Sequence, residues 1–287
     1  MTDYPLTRTY PDGHGVEITF YVWPIEKPKA IVQIAHGLGD HARRYDHLAE
    51  ALNKAGYSVY ADDHRGHGVT GKKQVASGQT KTMGNLGPGG IKAAFEQVHE
   101  FTNLIKAENP GMKVVLFGHS YGSFIAQKLV NLYSDEYDAV ILSGSSLLVP
   151  GVLGAGAFNK KWAKEKDATG YEWLSRDKEV GRKFAADEYT FLADAAKVLG
   201  IPNGLQLFFT PKKSIRQDLP LLIQAGSEDP IGGTRGNEML ANTYRNKCGL
   251  DNVTAIIYHE GRHEMYNETN KDEVIKDLLA FIKANVA

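Results

Sequence analysis

The stretch Val114–Gln127, VVLFGHSYGSFIAQ, decides the fold. Its first residues are apolar and rich in Val, Leu and Phe, as in a strand buried on both faces. Gly118-His119-Ser120-Tyr121-Gly122 follows, the one G-x-S-x-G of the chain, and then a helical pattern begins. The order strand, G-x-S-x-G, helix is what gives the motif its force. A serine on so sharp a turn is held in a strained backbone conformation that exposes its Oγ. Small residues at Gly118 and Gly122 let neighbouring backbone pass close by. The helix starting at Tyr121 directs its N-terminal N–H groups toward any negative charge that develops at the serine.

Working outward, short β-rich runs alternate with longer amphipathic segments. Strands are expected at 16–23 (an exposed edge), 30–36, 57–63, 113–119, 138–145, 218–227 and 253–260. Helices are expected at 47–57, 89–109, 121–133, 236–247 and 271–286. This rhythm implies βαβ units, hence an α/β protein with a mostly parallel sheet covered by helices on both faces. The rhythm breaks between about Leu147 and Lys213, too long a stretch for a simple crossover. It is rich in Phe, Trp and Tyr and reads as a helical cap inserted after a strand. Most of its aromatic residues are expected to form the cap's own core, with some lining its underside. The expected organisation is a core at 1–146, a cap at 147–213 and the rest of the core at 214–287.

The bulk numbers exclude several classes. The 287 residues carry 33 basic and 34 acidic side chains, a net charge of −1, and no long Lys/Arg run, so no nucleic acid or anionic membrane is indicated as main partner. Cys248 is the single cysteine, so no intrachain disulfide forms, which suits a reducing compartment. It sits before Gly249 at an expected helix end, a poor place for a nucleophile. No secretory pattern opens the sequence and no apolar run reaches membrane-spanning length, so a cytoplasmic location is expected.

A nucleophilic serine needs a base to take its proton and an acid to orient that base. In parallel sheets carrying this turn the chain order is serine, acid, histidine, each after a strand. LPLLIQAGSEDPIGG (219–233) supplies Asp229, with Glu228 as the alternative. VTAIIYHEGRHE (253–264) supplies His263, on a loop beyond Gly261 that can reach back to Ser120, with His259 as the alternative. Two N–H groups should receive an oxyanion. Tyr121 follows the nucleophile, and Leu38 sits in AHGLGDH (35–41), the turn after an earlier strand.

His259-Glu260-Gly261-Arg262-His263 also matches H-E-x-x-H, a zinc-protease signature that requires a helix. The β-branched residues before it and Gly261 within it argue against one, and Tyr266 stands where the extended form of the motif needs Gly. The histidines at 36, 41, 47, 64 and 67 fall on separate units and read as structural. NLGPGGI (85–91) could cradle an anion at a helix N-terminus, but a plain helix start is the simpler reading.

Together AHGLGDHARRYDHLAEAL (35–52), DDHRGHG (62–68), GHSYGS (118–123), WLSRD (173–177), AGSEDPIGG (225–233) and GRHEMYNE (261–268) resemble the monoacylglycerol lipase and lysophospholipase group of α/β-hydrolases, which shares its family with the S33 serine aminopeptidases. The resemblance runs from about residue 30 to the end. It implies an α/β-hydrolase fold, Ser120, Asp229 and His263 as a catalytic triad, and the Leu38 and Tyr121 N–H groups as oxyanion hole. It also implies a cap over an apolar acyl pocket, a small ester or lipid substrate, transient contact of the cap with a membrane or micelle, and no cofactor or metal. Short-chain carboxylesterase or S33-type peptidase activity on the same fold is the alternative, and a non-catalytic small-molecule binder a more distant one. The sequence departs from the family's usual pattern at Asp40 (usually Glu), Tyr121 (Met) and Ser123 (Gly). The Tyr121 ring is therefore expected to narrow the pocket or to offer its hydroxyl to substrate, and HRGHG (64–68) to brace the nearby turn.

Overall fold

The computed structural model describes residues 4–154, 156–192 and 194–286. The chain opens with an antiparallel pair, β1 (Leu6–Pro11) and β2 (Glu17–Trp23). It continues through β3 (Ile31–Ala35), α1 (Asp46–Ala55), β4 (Ser58–Asp62), α2 (Gly68–Ala76) and α3 (Gly90–Glu108). Next come β5 (Val114–His119), α4 (Tyr121–Tyr133) and β6 (Ala139–Ser143). A long excursion carries α5 (Lys178–Ala186) and α6 (Ala195–Leu205), and the chain closes with β7 (Leu221–Gly226), α7 (Gly233–Asn242), β8 (Val253–Tyr258) and α8 (Lys271–Asn285). All eight strands form one sheet in the order β1-β2-β4-β3-β5-β6-β7-β8, and every pair from β4 to β8 is parallel. This is the α/β-hydrolase fold that the sequence implies.

Strand side chains alternate between two cores. Val114 and Leu116 of β5 pack with Val98 and Phe101 of α3 and with Ile125 and Leu129 of α4. Val115 and Phe117 face the other way, toward Leu48 and Leu52 of α1 and Leu278 and Ile282 of α8. Each such fully buried aliphatic side chain contributes about 1.5–3 kcal/mol. This two-sided burial explains why β3 to β7 are buried at every position and mostly apolar, with a few buried polar residues such as Gln33 and Gln224.

The expected edge strand at 16–23 is displaced from the edge. β2 lies between β1 and β4 and is buried except at Glu17. The edge is β1, whose LTRTYP sequence is almost wholly exposed and carries Arg8, a residue suited to blocking edge pairing. Two elements exceed the sequence expectation. β1 has no apolar alternation to announce it. α2 begins with glycine and holds a second glycine at 71, so its helix propensity is low, yet Thr70 and Gln74 are buried. The helix expected at 236–247 starts three residues earlier and loosens into a π-helical turn at Thr243–Cys248. Cys248 is buried in that turn, and burial raises its thiol pKa.

Between β6 and β7 the chain lies across the C-terminal ends of the parallel strands. Phe191 N–H donates to Gly39 O at 3.1 Å, and His263 N–H to Trp173 O at 3.3 Å. Short 3-10 turns occupy Phe158–Lys161 and Glu172–Leu174. Asp177 caps α5 by accepting from Glu179 N–H, and α6 breaks at Gly200, which takes φ 72° just before Pro202. Trp162, Trp173, Leu174 and Phe184 are buried in this excursion.

Candidate active site

Ser120 sits between the last residue of β5 and the first of α4, at φ 52° and ψ −121°. A positive φ on a non-glycine residue costs on the order of 1–3 kcal/mol and persists only where the surroundings enforce it. The enforcement is visible at Gly122, where an added Cβ would lie 2.0 Å from Ala35 O. The turn therefore presses against the end of β3, and only a residue without a side chain fits. Ser120 N–H donates to Ser143 O at 2.9 Å, which fixes the turn to the end of β6. Ser123 Oγ lies 2.6 Å from Ser120 O and 2.8 Å from Ser145 Oγ, so the unusual serine at 123 braces the same turn.

The turn after β3 lies alongside. A Cβ built on Gly37 would lie 3.3 Å from Ser120 Cβ, which places Gly37 and Leu38 beside the serine. Buried His36 accepts from His64 N–H through Nε2 at 3.0 Å, so its Nδ1 carries the hydrogen that Gly37 O accepts at 2.8 Å. Burial holds His36 well below its ordinary pKa, and it stacks on His64 at 3.9 Å. HRGHG thus braces the turn, as expected. Tyr121 N–H belongs to the first turn of α4, where backbone donors lack helical partners.

Asp229 follows β7 and His263 follows β8, and the structure brings them together: His263 Nδ1 lies 3.0 Å from Asp229 Oδ1, with both side chains buried. Asp229 Oδ1 also accepts from Ile231 N–H at 2.9 Å, which fixes the carboxylate. The alternatives lie elsewhere. Glu228 pairs with Lys161 at the surface, and the His259 side chain is 92% exposed. The two loops interlock through Glu228 N–H to Gly261 O at 2.9 Å and Glu260 N–H to Ser227 Oγ at 2.9 Å. A Cβ on Gly226 would fall 2.0 Å from Gly261 O. Residues 259–263 form a turn and loop with no helix, so the two histidines of H-E-x-x-H do not share a helix face. Among the described residues no cluster of His, Cys, Asp or Glu is arranged to hold a metal ion.

His263 is covered by two rings, His119 at 4.8 Å and Trp173 at 4.9 Å. Burial, followed by the nearness of His263, lowers the His119 pKa to about 3, so His119 is a neutral neighbour. Arg44 donates to Asp40 at 2.9 Å and to both Glu264 oxygens at 2.7 Å, with all three side chains largely buried. Burial alone would raise the Asp40 pKa, but Arg44 outweighs it and holds the carboxyl well below the usual range. Nothing in the spacing of the sequence announces Trp173 or this triplet.

Two cavities have Trp173 in common. A pocket of about 10 Å³ is lined by Gly37, Leu38, His119, Trp173 and His263, among others. A chamber of about 980 Å³ lies within the excursion itself, lined chiefly by apolar side chains including Leu153, Phe158, Trp173, Leu207 and Phe208. Leu192, Ile201, Leu205 and Phe208 line it too, and all four are exposed. Tyr121 lines neither cavity. Its ring is buried in the core near His67, at 6.3 Å, and its hydroxyl has no hydrogen-bond partner among the described residues, so the expectation that it faces substrate is corrected. At NLGPGGI the structure shows a helix start already occupied. Arg65 holds the carbonyls of Leu86 and Pro88, and Asn203 accepts from Ile91 N–H.

A serine on a strained turn after the fifth strand of this sheet, with a His–Asp pair on two later loops, defines the α/β-hydrolase class. The chain belongs to the family described as serine aminopeptidase, S33, whose model matches residues 26–270. It is 33% identical to the monoglyceride lipase of Homo sapiens over 87% of this chain and 82% of that one. It is 27% identical to the monoacylglycerol lipase of Mycolicibacterium smegmatis over 95% of both chains. A thermostable carboxyl esterase from Bacillus coagulans shares the fold with a TM-score of 0.84 and 24% identity, over 98% of this chain and 99% of that one. Among the described residues no helix is long and apolar enough to cross a membrane.

Proposed function

We propose that the chain is a serine hydrolase that cleaves carboxylic esters of acyl-glycerol or lysophospholipid type. The observation that carries this reading is the buried His263–Asp229 pair, whose imidazole lies 4.8 Å from the ring of His119, the residue before the strained Ser120, together with an apolar chamber that shares Trp173 with the pocket beside His263. Ser120 Oγ attacks the ester carbonyl carbon, and His263 Nε2 takes the hydroxyl proton. Asp229 holds Nδ1–H and balances the imidazolium charge. The carbonyl oxygen, now an oxyanion, accepts from the N–H groups of Leu38 and Tyr121. The tetrahedral adduct collapses, the C–O bond to the alcohol breaks, and His263 returns its proton to the departing alkoxide. Water, deprotonated by His263, then attacks the acyl-enzyme and releases the acid and free Ser120.

The acyl-glycerol class is supported by the names of the two curated relatives and by the apolar lining of the chamber. In this reading residues 147–213 act as a cap. The exposed Leu192, Ile201, Leu205 and Phe208 support contact of that cap with a micelle or bilayer surface. Peptidase activity finds less support. Recognition of a free α-amino group requires an available carboxylate, and the two that line the small pocket, Asp40 and Glu264, are both paired with Arg44.

The test is a substrate panel: monoacylglycerols, a lysophospholipid, nitrophenyl esters from acetate to palmitate, and an aminoacyl anilide. Ester cleavage with little or no anilide cleavage is expected. Preferential cleavage of the anilide would replace the ester reading with the peptidase one.

A further inference from the structure

We propose that Trp173 is a specificity-determining partition between the reaction centre and the apolar chamber, and that its indole decides which acyl chains the enzyme accepts. The inference rests on the ester-hydrolase reading above.

The small pocket beside His263, at about 10 Å³, has room for about one water molecule and none for a long acyl chain. The chamber, at about 980 Å³, has ample room, but neither His263 nor Leu38 lines it. Trp173 is the one described residue that lines both spaces. One side of the indole covers the His263 ring at 4.9 Å, and Phe158 of the chamber wall stands 5.0 Å away. A chain esterified at Ser120 therefore reaches the chamber by displacing this ring.

The surrounding main chain is held, which leaves the side chain as the moving part. Trp173 N–H donates to Asn159 Oδ1 at 2.9 Å, and Trp173 O accepts from His263 N–H at 3.3 Å. On the next residue, Leu174 O accepts from Glu264 N–H at 2.7 Å. Preceding it, the Glu172 carboxylate accepts from Asn159 Nδ2 at 2.7 Å and from Thr169 Oγ1 at 2.8 Å. Arg262 Nη1 donates to Glu172 O at 2.6 Å and to Ser175 O at 3.1 Å. The backbone of 172–175 is thus bound to the loop that carries His263, while the indole faces cavity space on the chamber side. A short acyl chain leaves the ring in place. A long one must turn it, losing the contacts with His263 and Phe158.

The experiment compares kcat/KM for nitrophenyl butyrate and laurate in the wild type, Trp173→Ala and Trp173→Phe, with fluorophosphonate labelling of each protein. Removing the indole joins the two spaces, so the laurate-to-butyrate ratio should rise by about tenfold in the alanine variant, the scale of pocket discrimination between apolar groups. It should change little in the phenylalanine variant. A ratio unchanged in an alanine variant that is active and labelled would overturn the partition and leave the hydrolase reading standing. A wild type that cleaves neither ester and takes no label would overturn the hydrolase reading and the partition with it. If the alanine variant fails to fold, Trp173→Leu carries the same comparison.

Discussion

Arg44 and Glu264, 220 positions apart in the chain, form a two-armed ion pair inside the protein, with both N···O distances at 2.7 Å. The same guanidinium holds Asp40, which follows the β3 turn, so one side chain ties the Leu38 turn to the loop of His263. Breaking a buried pair by removing one partner leaves uncompensated charge and costs on the order of 3–5 kcal/mol. Arg44→Ala should lower the urea midpoint accordingly. Arg44→Lys, which keeps the charge but loses the forked geometry, should fall between it and the wild type. Equal midpoints for all three would show that the network does not hold these loops.

The contact between His263 and Asp229 predicts a separation of activity from stability. Asp229→Asn keeps the shape but cannot hold the same imidazole tautomer or balance its charge, and kcat should fall on the order of 10³–10⁴-fold while the circular dichroism stays unchanged. His259→Gln and Glu228→Gln, both at the surface, should retain kcat within about twofold. A loss in His259→Gln as large as that in Asp229→Asn would reverse the assignment of base.

Backbone crowding at Gly122 makes a folding prediction. Gly122→Ala places a methyl group 2.0 Å from Ala35 O, deep between β3 and α4. No folded protein should be recovered in the soluble fraction. Gly151 makes the control: it has φ 78° but open space around its Cβ position, so Gly151→Ala should fold at a cost of about 1 kcal/mol. Similar recovery of both variants would contradict the close approach.

Burial of neutral histidines sets the response to acid. Burial lowers the His67 pKa to about 4 and the His119 pKa to about 3, and holds His36 well below its usual value. The unfolded chain protonates these groups near pH 6.5, so between that pH and about 4 it binds more protons than the native state. Their contribution to stability is complete above pH 6.5 and declines as the pH falls toward their native values. Urea midpoints at pH 7.5, 6 and 5 should decrease in that order. His67→Gln should flatten the decline, and an equally steep decline in that variant would contradict the role given to His67.

The strand–turn–helix at Ser120 and the central strands were legible in the sequence because two-sided burial writes itself as short, mostly apolar runs, and because a tight turn of this kind demands small residues at fixed positions. β1 and α2 were not legible. β1 is exposed and gains its order from pairing with β2, while α2 is formed by glycine-bearing sequence that tertiary contacts hold against its propensity. The choice of Asp229 over Glu228 and of His263 over His259 followed from where each lies on its loop. Sequence adjacency to Ser120 does not fix the direction of the Tyr121 side chain, and the start of α4 turns it into the core. The motifs that hold Trp173, Arg44 and Glu264 gave no local signal of what these residues touch, since the contacts join segments about ninety to more than two hundred residues apart.

The central claim is that Ser120 is the nucleophile. A fluorophosphonate probe, incubated with the wild type and with Ser120→Ala and followed by intact mass, tests it most directly. One adduct on the wild type, located at Ser120, and none on the alanine variant is the expected result. Labelling of equal extent on both proteins would contradict it.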